Sequence, residues 1–163
     1  MENQVVVVTG ASRGIGLSIA RRFGQAGANV VICGRSEETI QNVAEVLVNE
    51  GIQAKAKAAD ISNQSDADAL VQFALDQFSR IDVLVNNAGY GIKTSFHETS
   101  IEDEEAFIRV LGTSVIMLTK LFIPKMLENG GGKIMIVSSV ASLTPPSAIQ
   151  PLYGPIKTCL LYT

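Results

Sequence analysis

Histidine and cysteine are nearly absent from this sequence, which has one histidine and two cysteines among 163 residues. His97, Cys33 and Cys159 cannot supply the Cys/His sets that structural zinc takes, and no CxxC or HxxxH spacing occurs, so no metal site is expected. The two cysteines need not pair, because a chain of this length buries roughly 70% of the surface it exposes unfolded and has a core without cross-links. Excess positive charge is missing too. The 13 Lys+Arg stand against 16 Asp+Glu, a net charge of -3, without the basic face that nucleic-acid binding normally shows. No unbroken apolar run reaches the ~20 residues of a membrane span. The longest helical one, over residues 110–127, is interrupted by Lys120, Pro124 and Lys125 and reads as a buried or interface helix. The start, Met1 and Glu2 followed closely by four valines, has neither a basic n-region nor a small-residue cleavage site. The expected location is therefore intracellular and reducing, by default the cytoplasm.

What is present points to one folded unit. Hydrophobic residues make up 47% and charged residues 18%, an ordinary globular balance. No linker, charge block or low-complexity tract divides the chain, so residues 1–163 read as a single domain. Short runs rich in Val and Ile at 5–8, 30–33, 81–85 and 134–137, with a weaker one at 52–58, suit strands buried on both faces. Between them apolar residues recur at helical spacing: Ile15, Ile19, Phe23 and Ala26, then Ile40, Val43, Ala44 and Leu47, then Leu70, Phe73, Ala74 and Phe78. This alternation predicts an α/β fold, a doubly wound parallel sheet of about five strands with right-handed crossovers. Val115, Ile116, Met117, Leu118, Leu121 and Phe122 are apolar almost all round, which predicts burial on more than one side. After the fifth strand come Pro145, Pro146, Pro151 and Pro155, and a helix is predicted to begin over 156–162.

The first strand runs directly into Thr9-Gly10-Ala11-Ser12-Arg13-Gly14-Ile15-Gly16, which then opens the first helix. That is the context a phosphate-binding loop requires: Gly10 for a tight turn, Gly14 for close approach to a pyrophosphate, Gly16 for helix–strand packing, and free N–H groups at the helix start. Near the other end, Tyr153 and Lys157 are four residues apart and would share one helix face. A phenol titrates near 10, and a neighbouring ammonium favours its ionised form, which makes such a pair usable as an acid.

These motifs, taken together, resemble the short-chain dehydrogenase/reductase family. Asn86-Asn87-Ala88-Gly89 follows the fourth strand, Asp60 the third, and Ser138-Ser139 the fifth, and Tyr153 and Lys157 complete a Y-x-x-x-K pattern. The resemblance covers essentially the whole chain and implies a Rossmann-type sheet in order 3-2-1-4-5, incomplete at its C-terminal edge, in a fragment of a longer chain. It implies a dinucleotide held by Gly10, Ser12, Arg13, Gly14, Ile15, Gly16, Arg35, Asp60, Ile61, Asn87, Ala88 and Gly89, together with Tyr153 and Lys157. By the same resemblance Tyr153 would protonate a carbonyl oxygen, Lys157 would activate it and contact the ribose, and Ser139, preferred to Ser138, would hydrogen-bond the substrate oxygen. Three departures stand out. The family's helical asparagine before the fifth strand is missing, with Val110-Leu111-Gly112-Thr113 in that region; the Ser139-to-Tyr153 loop is one residue longer than usual; and Pro155 falls inside Y-x-x-x-K.

Charge indicates which cofactor. NAD binders place a carboxylate at the end of the second strand, but here Val31-Ile32-Cys33-Gly34-Arg35 reaches no acid before Glu37. Arg35 and Arg13 would instead bind the 2′-phosphate of NADP(H). The expected activity is NADPH-dependent reduction of a small-molecule carbonyl, or the reverse alcohol oxidation, by a homo-oligomer when complete. A dinucleotide-binding protein without turnover and an inactive truncated product are the alternatives.

Overall fold

The computed structural model describes residues 1–146 and 149–161. Its elements alternate as β1 (Val5–Thr9), α1 (Gly14–Gln25), β2 (Asn29–Gly34), α2 (Glu37–Asn49), β3 (Ala54–Ala58), α3 (Gln64–Phe78), β4 (Val83–Asn86), α4 (Ile101–Ile108), α5 (Ser114–Glu128), β5 (Lys133–Ile136) and α6 (Tyr153–Leu161). The five strands form one parallel sheet in the order β3-β2-β1-β4-β5, the doubly wound arrangement expected. The chain builds outward from β1 to β3, then returns to lay β4 on the other side of β1. At that reversal the connections diverge and leave a crevice at the carboxyl ends of the strands.

β1 is entirely buried, as four consecutive valines require. Val6 and Val8 pack with Ala20, Ile40 and Leu47 beneath α1 and α2. Val5 and Val7 pack with Leu70, Leu118 and Phe122 beneath α3 and α5. β3 begins at Ala54 rather than at 52 because the Ile52 N–H bonds the Leu47 carbonyl at 3.0 Å, completing the end of α2 instead of entering the ladder. α6 begins at Tyr153, three residues before the predicted start; its predicted end at Tyr162 lies outside the described residues. Pro155 is tolerated because it falls in the first turn, where no intrahelical N–H bond is lost.

At the amino ends of the strands, Asp82 ties the sheet together. Its Oδ2 accepts from the Val5 N–H at 2.8 Å and from Arg80 Nε at 2.9 Å, while Oδ1 accepts from Arg80 Nη2 at 2.6 Å. Its main chain accepts from Lys133 N–H at 2.8 Å. One residue, itself 6% exposed, thus joins the starts of β1, β4 and β5.

α4 and α5 are joined through a π-turn at Arg109–Thr113 into a continuous helix over Ile101–Glu128, which by length and composition alone is apolar enough to cross a membrane. Phe107, Leu111, Leu118, Phe122 and Met126 lie in the core. The expectation of burial on more than one side is corrected within this chain: Ile116, Ile123 and Leu127 are exposed, because the sheet and α3 cover only one face. β5, at the sheet edge, is also only partly covered, with Lys133 and Met135 exposed.

Candidate functional site

A cleft of about 980 Å³ opens at the carboxyl ends of the strands. Its base is the loop after β1. Gly10 has φ of +64°, and a Cβ there would stand 2.6 Å from Ala88 Cα, so the loops after β1 and β4 meet only because Gly10 lacks one. A Cβ on Gly16 would collide with the Gly10 carbonyl and the Asn87 amide. Thr9 secures this contact: its hydroxyl accepts from the N–H groups of Asn87 and Ala88 at 3.0 and 3.1 Å and donates to the Val85 carbonyl at 3.2 Å. Asn87 returns two bonds, from Nδ2 to the carbonyls of Thr9 and Gly10 at 2.9 and 3.1 Å. Thr9 was legible only as part of the glycine motif; a hydroxyl ending an otherwise aliphatic strand was the available signal.

The start of α1 differs from those of its neighbours. Ser36 caps α2 and Asn63 caps α3 through side-chain oxygens, whereas Arg13 at the start of α1 provides no cap and no acid lies in the first turn. The first N–H groups of α1 therefore retain their attraction for an anion in the cleft. Ser12, Arg13, Ile15, Arg35, Asp60, Ile61 and Gly89 line the same space. The Asp60 carboxyl is held below its usual range chiefly by the Ser62 hydroxyl at 2.7 Å, with help from the Ser62 N–H and the charge of Arg35, against an opposing effect of burial.

Tyr153 and Lys157 lie one turn apart and line the same cleft, with Lys157 Nζ 5.9 Å from the Tyr153 ring centre. Lys157 is 5% exposed, and its ammonium donates to the Val137 carbonyl at 2.9 Å. In return the Ser138 hydroxyl donates to the Lys157 main-chain carbonyl at 2.9 Å, so the end of β5 and α6 are stitched in both directions. The two serines divide. Ser138 lines the cleft but its proton is engaged; Ser139 accepts from Ala141 N–H at 3.2 Å at the start of the 3-10 turn Val140–Leu143, keeps its proton, and does not line the cleft. Of the other expected residues, Gly14 starts α1 and likewise does not line it. His97 is exposed in the turn Phe96–Glu98.

Two features of the cleft were not assigned from sequence. Leu111, buried in the π-turn, faces Gly89, and Tyr90 stacks edge-on against Phe107 at 5.4 Å, which in turn stands 6.3 Å from Tyr153. Burial, followed by the nearby carboxylates of Asp103 and Glu104 and partly offset by Arg35, raises the Tyr90 pKa.

Burial also lowers the pKa of Lys157 from its ordinary 10.5. The unfolded chain therefore binds more protons between the native value and 10.5, and the residue's contribution to stability rises with pH across that window. Cys33, pushed up by burial from 9.0 to about 12, acts oppositely, since its unfolded thiol ionises first. Both proteins share that effect in a comparison with Lys157→Met. The unaltered protein should gain on the variant in urea-unfolding free energy as pH rises, and a constant difference would show that the ammonium is not desolvated.

Comparison with known proteins agrees with this arrangement. The profile of the short chain dehydrogenase family matches residues 4–160. Dehydrogenase/reductase SDR family member 4 of Sus scrofa is 34% identical over 164 residues, covering 99% of this chain and 58% of that protein. An uncharacterized oxidoreductase of Staphylococcus epidermidis is 30% identical over 160 residues, covering 98% and 68%. Among solved structures, a metagenomic short-chain oxidoreductase in complex with NADP superposes with a TM-score of 0.91 at 36% identity, covering 99% of this chain and 73% of the other. A variant of actinorhodin polyketide ketoreductase with NADPH also gives 0.91, at 32% identity and 98% and 61% coverage. The chain spans about three fifths of the length of the mammalian relatives it matches.

Proposed function

This chain belongs to the short-chain dehydrogenase family, and from that premise we propose that its protein is an oxidoreductase that reduces a small-molecule carbonyl with NADPH, or oxidises the matching alcohol. The observation that carries the reading is that Tyr153 and Lys157, on one helix face, line the same cleft as an uncapped helix start. NADPH supplies a hydride when bound. The first N–H groups of α1 and the loop of Gly10, Gly14 and Gly16 would hold its pyrophosphate, and Asp60, Ile61, Asn87, Ala88 and Gly89 would border the nucleoside portions. Tyr153 gives its phenolic proton to the oxygen of the carbonyl being reduced. Lys157 favours the resulting phenolate through its charge and would contact the ribose. On the family pattern Ser139, which keeps an uncommitted proton among the described residues although it does not line the cleft, would orient the substrate oxygen.

NADPH is favoured over NADH because Arg35 stands in the cleft where an NAD binder presents a carboxylate, with Arg13 beside the loop. Arg35→Ala should weaken NADPH binding by about 1.5 to 3 kcal/mol, roughly tenfold to a hundredfold, with little effect on NADH. Titrating both cofactors against both proteins measures it. Equal affinities in the unaltered protein would sink the assignment.

Leu111 favours a second reading, binding without turnover, because an apolar side chain stands in the region where the family pattern carries a polar one. Single-turnover oxidation of NADPH by a carbonyl substrate decides between the two. The protein is further proposed to be intracellular and longer than this single domain, and to self-associate through the exposed Ile116, Ile123 and Leu127 of α5.

A further inference from the structure

Resting on the carbonyl-reducing reading, we propose that the substrate is an uncharged, largely apolar carbonyl compound with a second hydrogen-bonding group, and that the Gln150 carboxamide recognises that group. Among the described residues, the charged ones lining the cleft are Arg13, Arg35, Asp60 and Lys157, all of them assigned to the cofactor. The remaining wall includes Tyr90, Leu111, Ala141, Thr144, Pro145 and Pro146. Against these side chains an anionic substrate would have to shed its hydration with no counter-charge of its own among the described residues, which is costly.

Of the other polar side chains on that wall, Thr144 is exposed, whereas Gln150 is half-buried beside the helix that carries Tyr153. Its main-chain carbonyl accepts from Tyr153 N–H at 3.2 Å, which fixes it just ahead of the helix that carries the phenol. Its side chain lies across Gly91, where a Cβ would stand 3.1 Å from both Nε2 and Oε1. The carboxamide is half-buried, lines the cleft and has no hydrogen-bond partner among the described residues. A carboxamide both donates and accepts. Once a substrate excludes water from it, a ligand group that pairs with it is favoured and one that leaves it unpaired is penalised.

Three ketones of similar shape test the inference in the full-length protein with NADPH: methyl β-benzoylpropionate, its free carboxylate, and hexanophenone, which has the ester's length without its second polar group. The ester should be reduced with kcat/KM about tenfold above hexanophenone and further above the carboxylate. Gln150→Leu should abolish the ester's advantage by raising its KM, and Gly91→Ala, which crowds the carboxamide, should reduce that advantage in part. NADPH titration of each variant establishes that it folds. Equal use of ester and hexanophenone, preference for the carboxylate, or an advantage that survives Gln150→Leu would each overturn the inference and leave carbonyl reduction standing. Failure to reduce any of the three while NADPH still binds would overturn both.

Discussion

Replacing Tyr153 by Phe should lower kcat by about a hundredfold to ten-thousandfold, the usual contribution of a positioned acid, while NADPH affinity stays within a factor of about two. The ring that contacts Phe107 at 6.3 Å is retained in the variant, and only the hydroxyl is lost. That group is required when negative charge develops on the substrate oxygen and not before, so its loss falls on the transition state rather than on binding. Steady-state kinetics with a fluorescence titration of NADPH separates the two quantities. A Phe variant that turns over normally would mean that another group gives the proton.

Asp82→Ala is expected to cost about 3 kcal/mol of folding stability. The substitution leaves the Val5 N–H buried without an acceptor and strips Arg80 of both its bonds. Arg80 is half-exposed and water recovers part of its loss, but water does not reach Val5, which has no exposed surface. Urea unfolding measures the change. A loss below about 1 kcal/mol would mean that the start of β1 relaxes to find another partner. Asp82→Asn, which keeps one acceptor oxygen, should lose less.

The sheet was legible in the sequence because its strands are apolar on both faces: a run such as Val5 to Val8 has no amphipathic alternative, and the helices between such runs leave few ways to wind the chain. The glycine loop was legible for a related reason, since the absence of side chains at fixed spacing is itself a pattern. Bonds that join distant residues through common side chains were not. Nothing about an aspartate before β4 announces that it accepts from β1, 77 residues away in sequence. The two serines after β5 are chemically identical, and only the hydrogen bonds to Lys157 and Ala141 distinguish their protons. The π-turn at Arg109–Thr113 was hidden because it interrupts neither the apolar periodicity nor the helix. Gln150 gave no signal because its meaning lies in the lack of a partner, which a sequence does not display.

The Asp82 clasp and the cleft occupy opposite ends of the same strands, separated by the full five residues of β1, roughly 16 Å. Sites that far apart without shared partners combine additively, so Asp82→Ala and Tyr153→Phe should impair stability and rate independently. For a lineage of such proteins, that separation is a source of evolvability. Loops at the carboxyl ends can exchange residues such as Gln150 and explore new substrates while the opposite end continues to secure the sheet. Variation in chemistry and the requirement to fold are then subject to selection at different places in the chain.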